Sequence, residues 1–339
     1  MKNFSVLISI LLLFTWVVPA QAGLSFTCVS TGPKGLYSIA IDPHNINNLF
    51  AASLGNGVGR STNGGRSWTF STSGLRSEDN GYVYAIAVHP QLSNVLLVGA
   101  YSGIYRSVDG GQTFTPVSGG DLPLLDWEPF AVLIDSTSPN TMFVTGYDGL
   151  YRSTDGGIYW DHITNGIVQD FIDTLVMDPK NHNIIYAGSR RNGMYKSTDH
   201  GITWYAINNQ LTNFYINTVA IDPDATNLIY VGSTQGDIFR STDAGASWAK
   251  IRLNSGVDYI KKVIVQSGIP LLGKKNGLFQ YTSGAGWFLV GLSGNDILDM
   301  LVSPVDTSVL MAVTYEGKFC TTQFSKIESR SYLPLTLKK

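Results

Sequence analysis

Charge is scarce in this 339-residue chain, at 14% of residues, and neither sign dominates: 23 lysines and arginines stand against 25 aspartates and glutamates. That balance excludes a polybasic nucleic-acid binder, which needs a concentrated cationic surface. Cysteine is nearly absent, with only Cys28 and Cys320. Long apolar runs are missing after residue 18, so nothing beyond that point is apolar enough to span a bilayer. What is plentiful is glycine, 36 residues, and aromatic residues, 12%. This composition argues against disorder and long solvated helices, and for many short strands joined by tight turns.

The N-terminus carries Lys2, an apolar run from Phe4 to Val18, and then Ala20-Gln21-Ala22. A cation, a short apolar core and a small-x-small step form a signal peptide, here residues 1–22, with cleavage expected before Gly23. The apolar core is shorter than the ~20 residues a spanning helix needs. A secreted, periplasmic or extracellular location is therefore expected, with no membrane span after cleavage. In such an oxidising compartment the two cysteines can pair.

One segment recurs every 44–46 residues: GRSTNGGRSW (59–68), YRSVDGGQTF (105–114), YRSTDGGIYW (151–160), YKSTDHGITW (195–204) and FRSTDAGASW (239–248). A degenerate copy ends at Trp287, and a remnant, KFCTT, lies at 318–322. In step with it run apolar segments that end in a turn, such as SIAIDP (38–43), TLVMDP (174–179) and TVAIDP (218–223). Each unit holds about four strands, too few to bury a core alone, so the units must stack. The expected fold is all-β: a seven-bladed propeller of four-stranded antiparallel blades over residues 23–325, followed by a tail, 326–339. Ring closure leaves no long exposed edge.

The box, Ser-x-Asp-x-Gly-x-x-Trp, resembles the Asp-box (BNR) repeat of sialidase-like propellers. Its chemistry is local and structural. The carboxyls of Asp109, Asp155, Asp199 and Asp243 (Asn63 in the first copy) can accept backbone N–H groups of the turn. Ser61, Ser107, Ser153, Ser197 and Ser241 open the boxes, and Trp68, Phe114, Trp160, Trp204, Trp248 and Trp287 are expected between blades. At the ends, LSFTCVSTG (24–32) resembles the post-box strand RSWTFSTSG (66–74). Residues 24–29 are thus expected as the outer strand of the last blade, with Cys28 within bridging reach of Cys320. The other closure uses residues 325–333.

In sialidase-like relatives, ligands sit on the face opposite the boxes. The turns expected there carry Tyr101, Tyr147, Arg190, Arg191, Lys275 and Tyr315. The longest loops, 73–82 and 118–130, add Arg76, Glu78, Asp79, Asp121, Asp126, Trp127 and Glu128 beside them. Aromatic rings mixed with carboxylates suit sugar stacking and hydroxyl hydrogen bonding, and long loops commonly carry function. Asp173, Lys261, Lys262 and Asp299 interrupt the channel-lining strands; Lys262 and Asp299 share a column, as an ion pair would. The five histidines fall in or beside turns and read as exposed turn residues, away from the ligand face.

Sialidase chemistry needs three converging arginines, whereas the box arginines Arg60, Arg106, Arg152 and Arg240 are spread around the disc. Xyloglucan-hydrolysing Asp-box enzymes bind between two propellers, and this chain has one. In size and single disc the chain looks most like the photosystem II assembly/stability factors, which implies a non-catalytic scaffold. The expected function is a secreted, monomeric binding module for a protein or glycan, without metal or cofactor. The alternative is a glycoside hydrolase or lyase using Asp126, Glu128 or Asp148.

Overall fold

A computed structural model describes residues 23–123, 128–168, 171–251, 259–266, 268–283 and 286–323. The leader, the tail, the alternative closing strand 325–333, and the candidate residues Asp126 and Trp127 lie outside the described residues. The chain forms seven four-stranded antiparallel sheets arranged as a propeller. The inner strands of blades one to seven are Leu36–Asp42, Val83–Val88, Ala131–Ile134, Ile172–Met177, Ile216–Ile221, Ile260–Gln266 and Ile297–Val302. Second strands such as Met142–Gly146, Ile185–Ser189 and Ile229–Ser233 are buried at every position. A neighbouring blade covers each of their faces, so these segments are continuous apolar and small runs, not alternating ones.

Blade seven is completed by the N-terminus. Lys318–Gln323 pairs with Thr27–Ser30, Cys28 stands opposite Cys320, and the two are joined by a disulfide. Thr31 adds two hydrogen bonds to the Gly317 carbonyl, from its N–H (2.9 Å) and its hydroxyl (3.0 Å).

Within each box the serine works twice. The Ser153 hydroxyl donates to Asp155 (2.8 Å) and accepts the Gly157 N–H (2.9 Å), while Asp155 also accepts the N–H groups of Ile158 and Tyr159, both at 3.0 Å. The same contacts recur around Ser107–Asp109, Ser197–Asp199 and Ser241–Asp243. In the first copy Ser61 donates to the Asn63 amide oxygen, 3.0 Å. Hydrogen bonds from the hydroxyls of Thr113 and Ser247 hold the carboxyls of Asp109 and Asp243 down at about 2. The ring N–H of Trp160 caps the Gly157 carbonyl at 3.1 Å, and the ring is fully buried. Gly65 shows why glycine is needed: its φ is +84°, and an added Cβ would lie 2.1 Å from the Phe319 ring of blade seven.

On the box face, successive blades are latched through their first turns. Ser93 of blade two donates to Asp42 of blade one at 2.9 Å, and the Gln266 amide of blade six to the Thr307 carbonyl of blade seven at 2.5 Å. Between blades three and four the latch uses histidine, contrary to the expectation of exposed turn residues. His182 Nδ1 lies 2.5 Å and His200 Nε2 2.8 Å from opposite oxygens of the fully buried Asp135. His182 is four residues past Asp178, as Ser93 is past His89, so it occupies the next blade's latch position. Among the described residues no group of side chains is arranged to hold a metal ion.

Burial alone would raise the Asp135 carboxyl. Hydrogen bonds from the Thr137 N–H, His182 and the Thr137 hydroxyl outweigh that and hold it at about 2. A depressed carboxyl stabilises the fold above the ordinary carboxylate range, and this contribution is lost as pH falls toward the folded-state value. Asp135→Asn is therefore expected to lower stability at pH 7 by about 2 kcal/mol. Denaturant midpoints of variant and wild type should converge between about pH 4 and about pH 2. A constant gap across that range would remove the charged latch.

Candidate functional site

Antiparallel order puts the start of every inner strand, with the second-to-third-strand turns, at the end of the disc opposite the boxes. In six blades the inner strand begins with a register shift, between Leu36/Ser38, Val83/Ala85, Ile172/Thr174, Ile216/Thr218, Ile260/Lys262 and Ile297/Asp299. The extra residues are Tyr37, Tyr84, Asp173, Asn217, Lys261 and Leu298. A bulge re-aims the extra side chain, and all six line one cavity of about 260 Å³ at the axis, together with Phe130 of blade three and Tyr259.

The mouth has a built side. The Arg190 guanidinium meets Asp173 through two contacts, Nε–Oδ2 and Nη2–Oδ1, both 2.9 Å. The same guanidinium lies 4.8 Å from the Phe130 ring centre and 5.2 Å from that of Phe171, and Arg191 stacks on Phe171 at 4.7 Å. Tyr147 packs edge-on against Phe130 (5.0 Å) and Phe171 (4.6 Å), and its hydroxyl donates to Glu128. Tyr37 and Tyr84 meet edge to face at 5.9 Å. Burial, joined by the Glu128 carboxylate, pushes the Tyr147 phenol up to about 12; burial, with Tyr37, does the same for Tyr259. These phenols are donors at any physiological pH. Below them Lys262 Nζ lies 2.9 Å from Asp299, whose other oxygen accepts the Ile39 N–H of the next blade at 3.0 Å.

Of the residues proposed from sequence, the structure brings Tyr147, Arg190, Arg191 and Glu128 into one cluster. Tyr101 joins through its carbonyl, which accepts the Glu128 N–H at 3.3 Å. Lys275 and Tyr315 stand on the turns of blades six and seven, across the ring. Several acidic loop residues do local work instead. Asp79 is fully buried and accepts the Tyr105 hydroxyl (2.5 Å) and the Ser102 N–H (2.7 Å), pinning loop 73–82 to blade two. Asp121 accepts the His162 N–H at 3.1 Å, and Asp148 accepts the Tyr151 hydroxyl at 2.8 Å. His162 itself reaches the far face, with Nε2 3.0 Å from the Asp148 carbonyl.

Sequence reasoning missed Tyr37, Tyr84, Phe130, Phe171 and Tyr259. For Tyr37 and Tyr84 the available signal was a column of mostly large or polar residues at the second position of six inner strands, as in Leu36-Tyr37-Ser38 and Val83-Tyr84-Ala85; Phe130, Phe171 and Tyr259 each stand just before an inner strand.

A family model described as sortilin, neurotensin receptor 3 (Sortilin-Vps10) matches residues 148–254. The likeness is to Asp-box propellers. The sequence matches none of the curated proteins. Among solved structures, an ancestral GH74 enzyme aligns with TM-score 0.71 and 20% identity, covering 88% of this chain and 45% of its own. The GH74 xyloglucanase from Xanthomonas campestris aligns with TM-score 0.70 and 18% identity, covering 89% and 54%. This chain thus spans about half the length of those enzymes. YCF48 bound to a D1 peptide aligns with TM-score 0.68 and 13% identity, covering 90% of this chain and 99% of that one. At these identities the shared property is the fold.

Proposed function

We propose that this chain is a non-catalytic, exported, monomeric scaffold that holds a segment of another protein at the channel mouth, on the face away from the boxes. The observation that carries this reading is the Arg190–Asp173 pair, with its guanidinium held against both the Phe130 and Phe171 rings. Rigid aromatic and guanidinium groups around a concave mouth give a preorganised binding surface that loses little entropy on contact. The disulfide supports an oxidising compartment. The YCF48 structure, which matches over nearly its whole length, holds a peptide, and this supports a protein ligand over a glycan.

Glycoside hydrolysis asks for a carboxyl that keeps its proton opposite an ionised one. Of the carboxylates that line the cavity, Asp173 and Asp299 each face a cation, and the predicted candidate Glu128 accepts a phenol. These contacts favour fixed charge over proton transfer. Panning a random peptide library and screening chromogenic glycosides with the same preparation tests the reading. Tyr259 is 41% exposed, so Tyr259→Ala removes surface without opening a core. It is expected to weaken the selected peptides about tenfold. Glycoside turnover abolished by Glu128→Gln would overturn the scaffold reading.

A further inference from the structure

Three cations line the axial cavity, and two are neutralised: Arg190 by Asp173 and Lys262 by Asp299. Lys261 is the third. Its ammonium lies 4.3 Å from the Tyr259 ring centre, and no described carboxylate is within ion-pair distance of it. Burial lowers its pKa, and Asp296 on blade seven only partly offsets this from a distance. Burial raises the Asp296 carboxyl, and Lys261 is the first of the cations that act against that rise, from beyond ion-pair distance. Around the same cavity stand the bulge residues Tyr37 and Tyr84 and, on blade three, Phe130. The mouth is therefore divided: an aromatic wall on blades one to three, and on blade six an ammonium with no described carboxylate at ion-pair distance.

We propose that the site selects a protein segment carrying a carboxylate beside an apolar side chain, and that Lys261 is the residue that reads the carboxylate. The inference rests on the scaffold reading above. An ammonium held partly out of water gains from an incoming anion what a surface lysine would not, since the same charge pair is stronger where water is displaced. A cationic segment gains less from the cavity wall, because the two carboxylates that line it, Asp173 and Asp299, are already paired. A neutral segment leaves Lys261 as it was. The apolar neighbour follows from the opposite wall, where the Tyr37, Tyr84 and Phe130 rings line the cavity.

The experiment pans random octapeptide libraries on the purified, oxidised protein and on Lys261→Met, which keeps the length of the side chain and removes its charge. One library is C-terminally amidated and one has free C-termini, which separates side-chain from terminal carboxylates. Wild type is expected to enrich Asp or Glu beside an apolar residue in the amidated library, or to require the free terminus in the other. Lys261→Met should bind the selected peptides at least tenfold more weakly, with an unchanged thermal midpoint, and Lys261→Arg should retain the preference. Enrichment of Lys or Arg, or of peptides with no carboxylate preference, overturns the role of Lys261 and leaves the scaffold standing. Retention of no peptide by any form of the protein overturns the scaffold and the inference together.

Discussion

Replacing Cys28 and Cys320 together by alanine is expected to lower the stability of this protein by roughly 5 kcal/mol in the chain-entropy view of disulfides. The bond closes a loop of 292 residues, almost the whole described chain. A cross-link of that span removes a large part of the freedom of the unfolded chain, and it does so where the ring itself is closed. Without it, blade seven keeps its outer strand by the four-residue pairing of Thr27–Ser30 and by the bonds of Thr31 to Gly317. Cys320 is fully buried, so alanine is the better replacement, because a serine hydroxyl there would need a partner. Guanidinium unfolding of the oxidised protein, the reduced protein and the double variant checks this. The last two should share one midpoint well below the first, and three equal midpoints would show that strand pairing alone closes the ring.

Trp160→Ala should cost nearly as much, about 3–5 kcal/mol, as expected for deleting a fully buried tryptophan that leaves a cavity. The ring is packed among Leu97 and Ile104 of blade two, Met142, Val144 and Tyr151 of blade three, and Leu122 from the loop between them. Two blades therefore lose their common filler at once. Trp68 provides the contrast. It occupies the same box position in blade one but is only half-buried, against Phe319 at 5.4 Å. Trp68→Ala is expected to cost distinctly less, and equal shifts in denaturant midpoint for the two variants would show that burial does not set the energy.

The boxes were legible because their chemistry is local. Ser153, Asp155, Gly157 and Trp160 hydrogen-bond within eight residues, so their spacing carries the geometry. The mouth was legible only in part, for a specific reason. Its charged members Asp173, Lys261, Lys262 and Asp299 stood out on the channel-lining strands, but a period-two reading does not put neighbours such as Tyr37 and Ser38, or Tyr84 and Ala85, on the axis together, as the bulge does. Arg190 was visible as a rim cation, but its mate Asp173 lies 17 residues earlier, on the inner strand of the same blade. His182 and His200 likewise read as turn residues; the carboxylate they share belongs to the preceding blade.

The order of residues by itself determined a closed ring of seven sheets, since turns and strand patterns are set by neighbours a few positions apart and repeat often enough to be counted. Only the tertiary structure decided which aromatic rings meet at the axis, which carboxylate holds Arg190 and which ammonium stays clear of one. Those meetings depend on bulges at the strand starts and on segments well apart in the chain, and no local rule of spacing reaches that far.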